Sequence, residues 1–252
     1  MDQARLAALL VARGDVERHA CVQLSATKFV RAEQWAGLKR DEQEFLRCYA
    51  AGVSAHRAVL VGRSAARALG LWVLGKDPEV IELAQRNGHP PSKTQWPEGV
   101  VYRNIPVPEM DIREHTAFDP AGAGGRIRLT TPARTAIDIA RFHGVRDTVV
   151  AMDSLYREQN RIGQETTRAA LVSTMGRLAG KKGVGQARRA FELSSTVSES
   201  AFESLFRVIL IEHGIRAEAQ MWVGRRYRVD LLWGNLIIEI DGYIKFDDMP
   251  HA

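Results

Sequence analysis

The stretch YRVDLLWGNLIIEIDG, residues 227–242, decides how this chain is read. Two apolar-rich runs flank Gly234-Asn235. A glycine at the first central position suits a two-residue type II′ hairpin turn. That turn sets the register. Trp233 faces Leu236, Leu232 faces Ile237, and Leu231 faces Ile238. Asp230 then falls opposite Glu239, and Arg228 opposite Asp241. With a side-chain period of two, Asp230, Leu232, Ile237, Glu239 and Asp241 share one face, and Val229, Leu231, Ile238 and Ile240 the other. Directly opposed carboxylates, with Cβ atoms about 5 Å apart, repel each other. A divalent cation relieves that conflict: Mg²⁺ takes one or two protein carboxylates and keeps its other sites for water and phosphate. A solvated sheet face, with Arg228 and Asp241 as a cross-strand ion pair, explains the same spacing, and spacing alone slightly favours it.

Just upstream, Ser198 can cap a helix whose apolar stripe is Phe202, Leu205, Phe206, Ile209 and Leu210. Glu203 lies at the edge of that stripe, and Gly214 ends the helix. A strand at 220–223 precedes the hairpin. The small polar run Ser194–Ser200 reads as a linker. It divides the chain into 1–195 and 196–252.

Further upstream, helices are expected at 132–143, 146–158, 164–177 and 184–193. Thr131 can cap the first of them, and Pro132 suits its first position. Strands are expected at 79–84, 100–107 and 126–130. The glycines at 122, 124 and 125 lack a following Lys-Ser/Thr, so they read as a hairpin tip and not as a phosphate loop. Ala58–Val61 reads as a strand and Ser64–Gly70 as a short helix. Asp41 and Glu44 suggest a capping box for a helix running to Val53. A strand pair fits 22–31 and a helix fits 2–13, with no complete helix-turn-helix before residue 30. The fold class is therefore α+β. A degenerate N-terminus (1–57), a β-rich middle (58–130) and a helical part (131–195) precede a partial α/β domain (196–252).

The 252 residues are 45% hydrophobic and 26% charged, as in ordinary soluble domains, and the net charge is +5. A basic surplus of this size hints weakly at an anionic partner. Two isolated cysteines, no signal-type start and no stretch long enough to span a bilayer point to the cytoplasm. The seven histidines form no HExxH pair, and neither CxxC nor GxSxG occurs, which argues against a zinc centre or a nucleophile elbow. Arg177, Lys181, Lys182, Arg188 and Arg189 form an acid-free basic stretch. With Arg225, Arg226 and Arg228 they are candidate phosphate contacts; a solvated helix face is an equal reading for the helical part.

The run SESAFESLFRVILIEHG (198–214) followed by YRVDLLWGNLIIEIDGYIKF (227–246) resembles the PD-(D/E)xK restriction-endonuclease-like superfamily, in its very-short-patch-repair-like branch. The resemblance covers about the last fifth of the chain. It implies that Glu203, Asp230 and Glu239 are catalytic carboxylates, with Asp230 and Glu239 holding Mg²⁺ or Mn²⁺. Asp241 stands where the superfamily's lysine usually sits, and Lys245 is the substitute positive charge. Upstream, FVRAEQWAGLKRDEQEFLRCYAAG (29–52), VGRSAARALGL (61–71) and TTPARTAIDIAR (130–141) resemble AbiEi-type antitoxins and their relatives. That kinship implies DNA and a cognate toxin as partners, and gives Arg134 and Asp138 no catalytic role. The sequence ends within a few residues of Lys245, which predicts a nuclease fold cut short and activity that is low or absent. Three readings stand: a metal-dependent DNA endonuclease, a non-enzymatic DNA-binding regulator or antitoxin, and an inactive fragment.

Overall fold

The structure, a computed structural model, describes residues 1–16, 19–76, 79–115, 126–224 and 226–240. The fold is α+β. The elements run α1 (Gln3–Ala7), β1 (Cys21–Gln23), β2 (Phe29–Arg31), α2 (Ala32–Ala36), α3 (Arg40–Ser54), β3 (Ala58–Leu60), α4 (Gly62–Ala68), β4 (Ile81–Gln85), β5 (Val100–Tyr102), β6 (Ile112–His115) and β7 (Ile127–Thr130). They continue as α5 (Pro132–His143), α6 (Val145–Tyr156), α7 (Arg161–Arg177), α8 (Val184–Leu193), α9 (Ala201–Glu212), β8 (Glu218–Val223), β9 (Tyr227–Trp233) and β10 (Leu236–Ile238).

A five-stranded mixed sheet, ordered β5-β4-β3-β7-β6, forms the middle of the molecule. Strand alternation sends Ala58 and Leu60 to one face, where they join Phe45, Leu46, Leu83, Ile127 and Leu129. Val59 and Val61 go to the other face, against Ala84, Ile105 and Val107. Both faces of this sheet are therefore covered. The N-terminal helix is shorter than the sequence suggests. It stops at Ala7 because Val11 pairs with Phe29 of β2, so the chain leaves the helix to make a β-bridge. Before residue 30 the described residues hold one α-helix and one 3₁₀ turn.

Gly62, with φ 54°, starts α4. A Cβ at this position would lie 2.3 Å from Glu82 Oε2, so only glycine fits. The closeness lets the Arg63 amide donate to that carboxylate at 2.7 Å. Glu82 is fully buried. Burial alone would push its carboxyl up, but hydrogen bonding and charge from His143 and Arg103 outweigh it and hold the group below the usual carboxylate range.

Helices α5 to α8 enclose a second core of Ile137, Ala140, Val149, Met152, Leu171 and Ala187, and Val208 of α9 enters it. The linker before α9 is pinned. Asp153 of α6 accepts from the Ser195 amide (2.7 Å), from Ser198 Oγ (3.2 Å) and from Arg207 of α9 (2.8 Å). A separate sheet, β10-β9-β8, follows α9.

Thr131 precedes α5 without capping it by its side chain. Thr130 and Thr135 pair their hydroxyls instead, at 2.6 Å. Arg134, in the same turn, is 1% exposed and joins three elements. Its guanidinium donates to Asp111 Oδ2 (2.5 Å), Asp138 Oδ2 (2.9 Å) and the Pro106 carbonyl (3.0 Å). The segment 116–125, with its glycines, lies outside the described residues.

Candidate carboxylate site on helix α9 and the C-terminal hairpin

The register of β9 and β10 runs Trp233↔Leu236, Leu232↔Ile237 and Leu231↔Ile238. Gly234 has φ 57° and Asn235 has no positive φ, the pattern of a II′ turn. Val229 and Leu231 are buried, and Ile237 and Leu236 on the hairpin are about half exposed. The ladder stops at Ile238, one residue before Glu239. The reason lies in Asp230: its Oδ2 accepts the Ile240 amide at 2.8 Å, so the chain turns toward that carboxylate instead of extending the strand pair. Glu239 is exposed and is not among the groups that meet Asp230 through a hydrogen bond.

Helix α9 is capped two residues later than Ser198. Ser200 is its N-cap and accepts the Glu203 amide at 3.1 Å. Glu203 Oε2 reaches back past the cap to accept the Glu199 amide at 2.9 Å. Glu203 is 8% exposed, and the Asp153–Arg207 contact behind it fixes the helix.

Glu203 and Asp230 meet at Gln220, a residue that the sequence reading placed only as the start of a strand. Gln220 Nε2 lies 2.9 Å from Glu203 Oε2 and 3.4 Å from Asp230 Oδ1. The pairing of β8 with β9 runs Ala219↔Leu231 and then Met221↔Val229. By that register Gln220 falls opposite Asp230, at the one step the ladder omits. Its φ is 55°, uncommon for a residue with a side chain, and rarer still inside a strand. A polar residue within a β run gives no sequence signal of a left-handed backbone, so only the folded chain reveals this contact.

Two carboxylates share one neutral amide here. An amide nitrogen has two N–H donors, one for each acid. Among the described residues no cation pairs with either acid. No group of three or more His, Cys, Asp or Glu side chains gathers as a metal site among the described residues. Asp241 and Lys245 lie outside the described residues, as does Arg225.

The basic candidates divide by partner. Arg177 is bound to Asp111 and Thr174, and Arg228 donates to Glu199 at 2.6 Å. Arg189 lies 3.4 Å from Glu192. Lys181, Lys182, Arg188 and Arg226 are exposed and have no ion-pair partner among the described residues. No helix among the described residues is long and apolar enough to cross a membrane. No family model matches the chain, and no curated protein matches it.

Proposed function

We propose that this chain is directed to nucleic acid and that Glu203 and Asp230 form the acidic half of a metal-dependent site for phosphodiester hydrolysis of DNA. The observation that carries this reading is their meeting at Gln220: a helix carboxylate and a strand carboxylate reach one amide. They are two of the three carboxylates, with Glu239, that the restriction-endonuclease-like resemblance implies for catalysis; that resemblance gives the cation to Asp230 and Glu239.

The donor set fits a hard divalent cation. Mg²⁺ is commonly bound by one or two protein carboxylates, with water and phosphate oxygens completing its shell. Glu203 and Asp230 are the residues that would hold it. When bound, such a cation supplies Lewis acidity to a phosphate oxygen and a more acidic water. The protein's own contribution is placement. The α9 cap and the Asp153–Arg207 contact fix Glu203, and the Ile240 amide orients Asp230. Arg226, exposed beside the β8–β9 turn, is the cation we assign to a phosphate further along the strand.

The test is nicking of supercoiled DNA in Mg²⁺ or Mn²⁺ by the chain and by Glu203→Ala and Asp230→Ala. The expected result is slow, cation-dependent nicking lost in both variants. Nicking that survives both substitutions, or none by the parent chain, contradicts the hydrolytic reading. A second reading, DNA binding without cleavage, is favoured by the exposed cations Lys181, Lys182 and Arg188 around the start of α8, which have no ion-pair partner among the described residues. It calls for binding that weakens steeply with salt.

A further inference from the structure

A cleft of about 550 Å³ lies where α7 crosses the start of α5 and the end of α6, away from Glu203, Gln220 and Asp230. Its volume is in the range of sites for small organic ligands, roughly 300–1,000 Å³. The lining is chemically one-sided. Arg113 and Arg177 face it, and no Asp or Glu lines it among the described residues. Neutral hydrogen-bonding groups surround the two arginines, including Thr131, Thr166, Thr167 and Ser173. Leu69, Leu71 and Leu155 supply an apolar wall.

The charges beneath the cleft do not cancel. Asp111 is shared by Arg134 and Arg177, and Asp138 by Arg134 and Arg141. This network holds three guanidinium groups and two carboxylates, a surplus of one positive charge. Most of it is removed from water, since Arg134, Asp111 and Asp138 are each at most 2% exposed. The positive charge that reaches the cleft is carried by Arg177, whose side chain is 35% exposed. Arg113 adds a second cation on the rim, with no ion-pair partner among the described residues. Helix α5, 12 residues long, points its N-terminus into the same space through Thr131, Pro132 and Ala133. The Thr131 hydroxyl leaves the first-turn amides uncapped. A helix start contributes further positive potential.

The geometry points to a binding site for a nucleotide-sized organic phosphate. The phosphate would sit between Arg113, Arg177 and the start of α5. The hydroxyl-bearing body would lie along the threonine and serine side chains of α7, with its less polar face on the leucine wall. Arg177, a free basic contact in the sequence reading, is here a cleft residue held in place by Asp111. An anion at this position balances the positive surplus of the described network.

Calorimetric titration of the full chain with AMP, adenosine and inorganic phosphate tests this. Two variants accompany it. Arg113→Gln removes an exposed cation that has no ion-pair partner among the described residues. Ala170→Trp fills the cleft from an exposed position on α7. Both are expected to melt near the parent temperature. AMP is expected to bind at least tenfold more tightly than either adenosine or phosphate. Arg113→Gln should weaken AMP binding by about tenfold, the loss of roughly one charge-assisted contact, and Ala170→Trp should abolish it. Adenosine binding as tightly as AMP, phosphate binding as tightly as AMP, AMP binding unchanged in both variants, or no AMP binding by the parent chain would each overturn the proposal.

Discussion

The molecule partners its carboxylates in two different ways. Around Arg134, acids meet guanidinium groups: Asp138 takes Arg134 and Arg141, and Asp111 takes Arg134 and Arg177. At the C-terminal hairpin, Glu203 and Asp230 meet neutral donors among the described residues: the Gln220 amide and the backbone amides of Glu199 and Ile240. The surrounding architecture differs in the same sense. The five-stranded sheet is covered on both faces, while the hairpin sheet leaves Trp222, Tyr227, Trp233, Leu236 and Ile237 well exposed. Acids matched by internal cations are committed to holding the fold. Acids matched by an amide keep their charge available to an external cation. The difference separates structural charge from charge that can serve chemistry.

The largest effect expected from this contrast is at the first region. Arg134→Met removes the cation on which two buried carboxylates depend, and breaking a buried pair by deleting one partner costs about 3–5 kcal/mol. Urea denaturation should show a loss of that size. A change under about 1 kcal/mol, the scale of a surface ion pair, would show that Arg177 and Arg141 suffice and would erase the contrast.

A smaller effect separates backbone from side chain at Gln220. Both Gln220→Gly and Gln220→Ala delete the amide, but only glycine is at ease at φ 55°. The glycine variant should be the more stable of the two by about 1 kcal/mol in the same denaturation experiment. Equal stability would mean that the strand does not hold Gln220 in the left-handed region.

The sequence made much of this legible where local patterning governs. The limits of α5, α8 and β9 follow from the proline start, the glycine-bounded helix and the turn at Gly234-Asn235. The hairpin register follows from turn geometry alone. Contacts made at a distance were not legible. Helix α1 yields to a bridge between Val11 and Phe29, which lie far apart in sequence. Ser198, read as a cap, serves Asp153 instead, and Ser200 caps α9. β10 ends early because the Asp230 side chain takes a backbone amide, a competition that alternation cannot anticipate. Of the proposed acidic trio, Glu203 and Asp230 come together through Gln220, whose part depends on a backbone conformation that no residue type announces.

The most direct measurement is Mn²⁺ binding, followed by the electron paramagnetic resonance signal of the free ion, for the parent chain and Asp230→Asn. The substitution keeps the shape of the side chain and removes one carboxylate charge. If Glu203 and Asp230 are a cation site, the parent chain binds one Mn²⁺ that Asp230→Asn loses or holds at least tenfold more weakly, about 1.4 kcal/mol. Equal binding by the two proteins, or none by the parent chain, contradicts the assignment.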